Sequence, residues 1–337
     1  MKTFLLVADK DRYGDVLDCL RRTADVKLVV IPSARDRGGR LELSLGLSCT
    51  SSPPQRRYWT SRSANLMTWR SFAQRRITRH SWHSVASLFG RRKRLYLFNF
   101  YLHELGRNRL VRLILRLVLS PSVGLCVNSP NEVDYFSALA PGTHVDHYPY
   151  SGQAIGGVSK DDVGLGDFVF AGGYSNRDYE TVVAAARRLS HTEFVLVCSA
   201  ANHLPGNLPS NVRVLRDTDH LVFSSLLAGS RCVIVPLKND VGSSGQMVAL
   251  GAMQFGKLTL YADFAAVSQY FIDGVTGVAY RPGDADDLCT KLVAFAEDPS
   301  VATRIGTAAR ESFRREFSSA SVYSARIAQH ALRFLSA

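Results

Sequence analysis

The sequence predicts two α/β domains, each a parallel β-sheet covered on both faces by helices. Three observations carry the prediction. Short apolar runs alternate with stretches of helical period. A chain of 337 residues is longer than one core usually organises. In the second half, Gly- and Ser-rich loops fall where strands should hand over to helices.

In the first half, Phe4 to Ala8 reads as a strand, Val16, Leu17 and Leu20 as a helical face, and Val26 to Ile31 as a second strand. Residues 32–60 lack periodicity and read as a long loop; residues 62–88 read as a very basic helical stretch. Leu95 to Phe100 is a third strand, Leu110 to Leu119 a helix, Val123 to Val127 a strand and Asn131 to Leu139 a helix. His147 to Tyr150 and the Ser-Gly segment after it read as a hinge, so domains are expected over 1–150 and 151–318, with a last helix over 319–337.

The second half is more regular. Strands are expected at Asp167 to Ala171, Glu193 to Cys198, Val212 to Leu215, Arg231 to Val235, Leu258 to Tyr261 and Gly277 to Tyr280. Helices are expected up to Leu189, then over His220 to Leu227, Gln246 to Phe255, Phe264 to Ile272 and Asp284 to Phe295, with two more over 299–314 and 319–335.

Composition narrows the function. Apolar residues make up 46% of the chain, which excludes a disordered polymer, and 25 Gly with 12 Pro exclude collagen-like repeats. The six cysteines show no paired spacing, which predicts a reduced protein without a zinc ribbon. The apolar run near the N-terminus is too short for a signal-peptide core, and no stretch is long and apolar enough to predict a spanning helix.

The formal charge of +12 is uneven. Residues 1–150 hold 24 Lys and Arg against 11 Asp and Glu, a net of +13; the remainder is at −1. No acidic residue lies between Glu42 and Glu104, a span that contains Arg91-Arg92-Lys93-Arg94. A basic half of this kind is expected to meet something anionic.

Two loops carry the chemistry. Gly172-Gly173-Tyr174-Ser175-Asn176-Arg177 follows a strand and opens a helix, so its backbone N–H groups and Arg177 suit a diphosphate; the alternative is a turn with Ser175 or Asn176 as a simple cap. Lys238-Asn239-Asp240-Val241-Gly242-Ser243-Ser244-Gly245-Gln246 again joins strand to helix, with small residues that expose consecutive N–H groups and a lysine beside them. Two such loops at the carboxyl ends of strands in one sheet point to phosphate binding there.

The stretch from Phe168 to about Phe317 resembles the nucleotide-sugar-binding domain of GT-B glycosyltransferases, and is most similar to the retaining family that includes sucrose synthase and bacterial mannosyltransferases. The resemblance rests on the Gly-Gly-x-Ser-x-Arg177 turn, Val214-Leu-Arg-Asp217, Val233-Ile-Val-Pro236, Gly251-Ala-Met-Gln-Phe-Gly256-Lys257 and Asp273-Gly-Val-Thr-Gly277 running on to Pro282-Gly-Asp284. It implies two Rossmann-like doubly wound domains facing a cleft: an N-terminal acceptor domain, a C-terminal donor domain and a last helix that returns to the first. It implies that Arg177 and Lys238 meet the donor diphosphate, that the Gly242 to Gln246 loop holds phosphate and sugar, and that Arg216 and Asp217 lie at the nucleobase. The family's Glu-x7-Glu pair is replaced here by Ser243 and Gly251, with Asp240 and Gln246 the nearest substitutes.

Asp284-Ala-Asp286 and Asp217-Thr-Asp219 read as metal motifs in isolation, but both precede helices and are expected to cap them, so no metal and no other cofactor is expected. The co-substrate implied is a nucleotide-sugar, UDP- or GDP-linked. For an acid or base the first half offers Asp11 (with Asp9 and Asp15) and His103 (with Glu104) after predicted strands. Arg109, Arg112 and Arg116 share a helix face beside an apolar stripe of Leu110, Leu113, Ile114, Leu117 and Val118. That face and the acid-free stretch with Trp59, Trp69 and Trp82 suit an anionic membrane surface.

The expectation is a glycosyltransferase, peripheral on the cytoplasmic face of the membrane, that acts on a saccharide or lipid-linked acceptor in envelope glycan or glycolipid synthesis. No nucleic-acid partner is expected, since no nucleic-acid fold motif is present. A nucleotide-sugar epimerase on the same fold, or a non-enzymatic binder of anionic polymers, are the alternatives.

Overall fold

The computed structural model describes strands at 2–8, 26–35, 41–43 and 95–98, several residues within 112–121, and then 123–151, 166–240 and 242–336. It divides into two units: residues 1–128, 132–148 and 321–337 form one, and 129–131 with 149–320 the other.

The larger unit is built on six strands: β7 (Phe168–Gly172), β8 (Glu193–Cys198), β9 (Val212–Arg216), β10 (Cys232–Val235), β11 (Leu258–Ala262) and β12 (Val278–Tyr280). Their order is β12-β11-β10-β7-β8-β9, and every pairing is parallel. Numbered from β7, that is the doubly wound order 6-5-4-1-2-3, with its switch point between β7 and β10. The apolar runs Val169-Phe170-Ala171, Phe194 to Cys198 and Cys232 to Val235 are buried throughout, as strands covered on both faces must be.

Around the sheet run α2 (Tyr179–Arg188), α3 (His220–Gly229), α4 (Gln246–Gln254), α5 (Ala265–Ser268), α6 (Ala285–Glu297) and α7 (Pro299–Ser312). In α2, Tyr179, Val182, Val183, Ala185 and Ala186 form the buried stripe that the 3.6-residue period requires. A π-helical turn at Phe313–Phe317 continues α7 and inserts Phe313 and Phe317 into the core.

Element type agrees with expectation along most of this unit. The exception is the helix expected over Phe264 to Ile272, which is only the four residues of α5. Beyond it Tyr270 N–H bonds to Val267 O and Phe271 N–H to Ser268 O, tight turns that lay Phe271 on Tyr261 with ring centroids 4.7 Å apart. Stacking against a strand residue ends the helix where its sequence pattern would continue.

The smaller unit contains β1 (Lys2–Ala8), β2 (Val26–Arg35), β3 (Leu41–Leu43), β4 (Leu95–Phe98), β5 (Val123–Val127) and β6 (His144–His147), with α1 (Pro130–Leu139) and α8 (Ala320–Ser336). β1 pairs parallel with β2, and β3 adds antiparallel to β2. β4, β5 and β6 form a parallel sheet, and β4 lies beside β1. Two strands escape the sequence reading. β3 falls inside the expected loop, and β6, His-Val-Asp-His, is too short and polar to show an apolar run.

Residues 321–337 of α8 belong to this smaller unit. Tyr323, Ile327, Ala331 and Phe334 recur at helical spacing and are buried. Tyr323 packs against Tyr148, Phe334 stacks on His144, and Arg326 donates to the Tyr148 hydroxyl at 2.9 Å. Of the stripe expected before β5 only Leu113 is among the described residues, and it is exposed, whereas Leu115 and Leu119 enter the core. Arg116, itself exposed, donates from Nε to Leu139 O at 3.1 Å.

Candidate donor site

Both loops singled out in the sequence lie at the switch point, one after β7 and one after β10. They are stitched together. Arg177 bridges Leu237, Asp178 N–H donates to Pro236 O at 2.9 Å and Lys238 N–H to Asn176 O at 3.3 Å. Asn176 stands in left-handed backbone (φ 55°), and its side-chain amide donates to Asn239 O at 2.8 Å. Asn is among the few side chains that tolerate this conformation, so Asn176 fastens one loop to the other.

The Gly-Gly turn makes room for Arg177. Gly173 has φ 127°, and a Cβ there would run into the Arg177 guanidinium. Arg177 lies back over the turn, donating from Nε to Gly172 O at 3.0 Å and from Nη1 to Ser175 O at 2.6 Å. Beneath it the Tyr179 hydroxyl sits 2.7 Å from Gly173 O and 3.0 Å from Val197 O; burial pushes this phenol well above its ordinary range, and it stays a neutral donor.

The helix after this turn is capped from within. Asp178 accepts from Thr181 N at 3.1 Å and from Thr181 Oγ1 at 2.6 Å. Neither Ser175 nor Asn176 is the cap, and the free N–H groups expected at the start of α2 are met by a carboxylate. The signal was legible as Asp178-x-x-Thr181, an acceptor three residues ahead of its donor.

The second loop differs. At the N-terminus of α4 the cap position is Gly245, in left-handed backbone (φ 81°), and no side chain caps the helix. A Cβ at Gly245 would lie 2.9 Å from Val235 Cγ1, so glycine is required on both counts. Ser244 beside it is 5% exposed, and its Oγ has no hydrogen-bond partner. Gly242, Ser243 and Gln246 are half-buried around it, and Lys238 is exposed at the loop's start. Asp240 is turned away: its Oδ1 accepts from Ala266 N at 3.2 Å, at the start of α5.

At the neighbouring edge, Arg216 and Asp217 organise loops. Arg216 Nη1 donates to Ser199 O at 2.8 Å and to Asn202 O at 3.3 Å, and Asp217, at φ 51°, accepts from Ala200 N at 3.1 Å. Asn202 Nδ2 donates to Tyr174 O at 3.1 Å, joining this rim to the Gly-Gly turn. The sequence reading did not single out Asn202, and it gave Tyr174 no role beyond its place in the Gly-Gly turn. Asp219 and Asp284, the metal-like aspartates, cap α3 and α6. Among the described residues no group of three His, Cys, Asp or Glu could hold a metal ion. Asp11 and His103 lie outside the described residues, as do Arg109 and the basic stretch 62–88.

Residues 166–298, which enclose all of this geometry, match the family model described as Glycosyl transferases group 1. The match lies within the C-terminal unit and covers less than half of the chain. Comparison with curated protein sequences returns no match. Among solved structures, the chain is similar to sucrose-phosphate synthase from Thermosynechococcus elongatus, with TM-score 0.64 and 14% identity over 99% of this chain and 100% of that one. It is similar to a glycosyltransferase from Rickettsia africae ESF-5, with TM-score 0.63 and 12% identity over 98% and 99%. It is also similar to Anabaena HepE in complex with UDP-glucose, with TM-score 0.59 and 14% identity over 99% and 100%. These likenesses establish the fold as GT-B, the arrangement of two Rossmann-like domains.

Proposed function

We propose that the chain moves a sugar from a UDP- or GDP-linked donor to a saccharide or lipid-linked acceptor at the inner face of the cell membrane, in envelope glycan or glycolipid synthesis. The observation that carries the donor reading is the N-terminus of α4, which no side chain caps, with buried Ser244 next to the cap position and Lys238 earlier in the same loop. A helix start supplies N–H donors and about half a positive charge. Set at the switch point of a doubly wound sheet, it suits a diphosphate. As the sugar leaves, negative charge grows on that diphosphate; the α4 dipole opposes it from a fixed position, Lys238 adds a positive charge from the same loop, and together they take the place of a divalent metal. Arg177 contributes by bracing the adjoining turn. That HepE was solved with UDP-glucose supports trying uridine donors first.

The acceptor and membrane parts of the proposal rest on charge. The N-terminal 150 residues carry a net of +13, and Leu113 is exposed next to Arg112. Asp11 and His103 are the proposed acid–base candidates.

A thermal-shift screen across UDP-, GDP-, ADP- and CMP-sugars tests the donor reading. At 100 times Kd a ligand stabilises by about 2.7 kcal/mol, a shift of several degrees. No shift with any donor would overturn the reading. Flotation with anionic vesicles but not zwitterionic ones, reversed by salt, is expected for the membrane part.

A further inference from the structure

The Gly-Gly turn presents a large aromatic side chain to water, and the fold holds it in place. Tyr174, directly after the two glycines, is 47% exposed. Its hydroxyl reaches Thr218 O at 3.4 Å, in the loop after β9. Its own carbonyl accepts from Asn202 Nδ2 at 3.1 Å, in the loop after β8. The ring meets Phe223 of α3 at an angle, with centroids 6.2 Å apart, and Phe223 stands edge-on to buried Phe170 of β7 at 5.2 Å. Tyr174 is therefore fixed at both ends and along one side, yet nearly half of it faces solvent. A ring already held in one orientation loses little side-chain entropy when a flat partner covers it.

The place of the ring says what that partner is. The turn that carries it is fastened through Asn176 to the loop before α4, and on its other side it reaches the loop after β9. Neighbouring strands lie about 4.8 Å apart, so the edge from β10 across β7 and β8 to β9 spans roughly 14 Å. An extended ligand with its anionic end at α4 runs along that edge toward Tyr174. The far end does not suit a second phosphate, because Asp219 closes the start of α3 and Asp217 stands on the other side of Thr218. A flat, uncharged group fits there, and in a nucleotide that group is the base.

We propose that Tyr174 is the platform on which the nucleobase of the donor stacks. The inference rests on the nucleotide-sugar reading above and names the residue that holds the nucleoside. Stacking on an aromatic face accepts every base, so the platform supplies affinity and leaves the choice of base to the surrounding rim.

Calorimetric titration of the parent, Tyr174→Ala and Tyr174→Phe tests it. The ligands are UDP, GDP and ADP, with inorganic pyrophosphate, which has the phosphates without a base, read by its displacement of the nucleotide. For whichever nucleotide binds the parent, Tyr174→Ala is expected to weaken affinity by about tenfold or more, the scale of base–aromatic stacking, and to leave pyrophosphate unaffected. Tyr174→Phe keeps the ring and gives up only the contact with Thr218 O, so it should bind like the parent. Nucleotide affinity unchanged in Tyr174→Ala, or an equal loss for nucleotide and pyrophosphate, overturns the inference and leaves the proposed function standing. A loss in Tyr174→Phe as large as in Tyr174→Ala assigns the effect to the hydroxyl and overturns the stacking role. If no nucleotide binds the parent, the nucleotide-sugar reading itself fails, and this inference with it.

Discussion

The helices α2 and α4 start at the same edge of the same sheet, on either side of its switch point, after loops that look alike in sequence. Both loops are rich in Gly and Ser, and both lie next to a basic residue. Their ends are opposite in character. The α2 start is closed by the Asp178 carboxylate; the α4 start has a glycine in left-handed backbone and a buried serine without a partner. The difference teaches that a glycine-rich strand-to-helix turn does not by itself make an anion site. What decides is whether the protein supplies its own acceptor. On the proposed function, the first loop is a brace and the second is the place where the diphosphate binds.

The strongest way to break the comparison is to remove the brace. Arg177→Ala leaves Gly172 O and Ser175 O without their partner and frees the turn stitched to Pro236 and Lys238. Transfer is expected to fall by roughly 100-fold or more, since small misplacement of a positioning loop is that costly. Arg177→Lys separates the two roles: it keeps the charge but cannot span both carbonyls. Activity restored by lysine would mean that charge, and not bracing, is what Arg177 supplies.

Next in size is a pair of substitutions that should act in opposite senses. Asp178→Ala uncaps α2 and is expected to cost about 1 kcal/mol of stability in urea unfolding, with nucleotide affinity unchanged. Gln246→Glu places a charge in the first turn of α4. It should leave stability unchanged or raise it by about 0.3–1 kcal/mol through the dipole, yet weaken nucleotide binding by roughly tenfold through repulsion of the diphosphate. If Asp178→Ala weakened binding and Gln246→Glu did not, the roles of the two helix ends would have to be exchanged.

This contrast also marks how far the sequence could be read. The strand positions follow from apolar runs such as Phe194 to Cys198, and the interest of the two loops from the rule that ligands gather at the carboxyl ends of strands; both are local patterns, whereas the strand order is set by long-range pairing. The cap at Asp178 was equally local, but two glycines drew attention to the turn before it. The loop-binding roles of Arg216, Asp217 and Asp240 were not legible, because each depends on which distant backbone amide or carbonyl the fold brings near. Strand β6 escaped because a polar four-residue strand carries no hydrophobic period, and the shortening of α5 because Phe271 is held by Tyr261, a partner ten residues away.

The smallest expected effect lies away from both helix starts and serves as their reference. Asp287 sits in the first turn of α6, where it accepts from Arg281 N at 2.7 Å and pairs with Lys291 at 2.8 Å. Burial pushes its carboxyl upward, but the Lys291 and Arg281 contacts outweigh that and hold it below the usual carboxylate range. A carboxyl depressed in the folded state binds its proton more readily in the unfolded state, so its contribution is present above the ordinary carboxylate range and fades as pH falls through the folded value. Stability measured from pH 7 down to pH 3 should therefore decline less steeply in Asp287→Asn than in the parent, with the difference confined to the acid end. Nucleotide affinity at pH 7 should be the same in both. A change in affinity would mean that α6 communicates with the α4 loop, and the division between a structural brace and a single ligand-facing helix end would no longer hold.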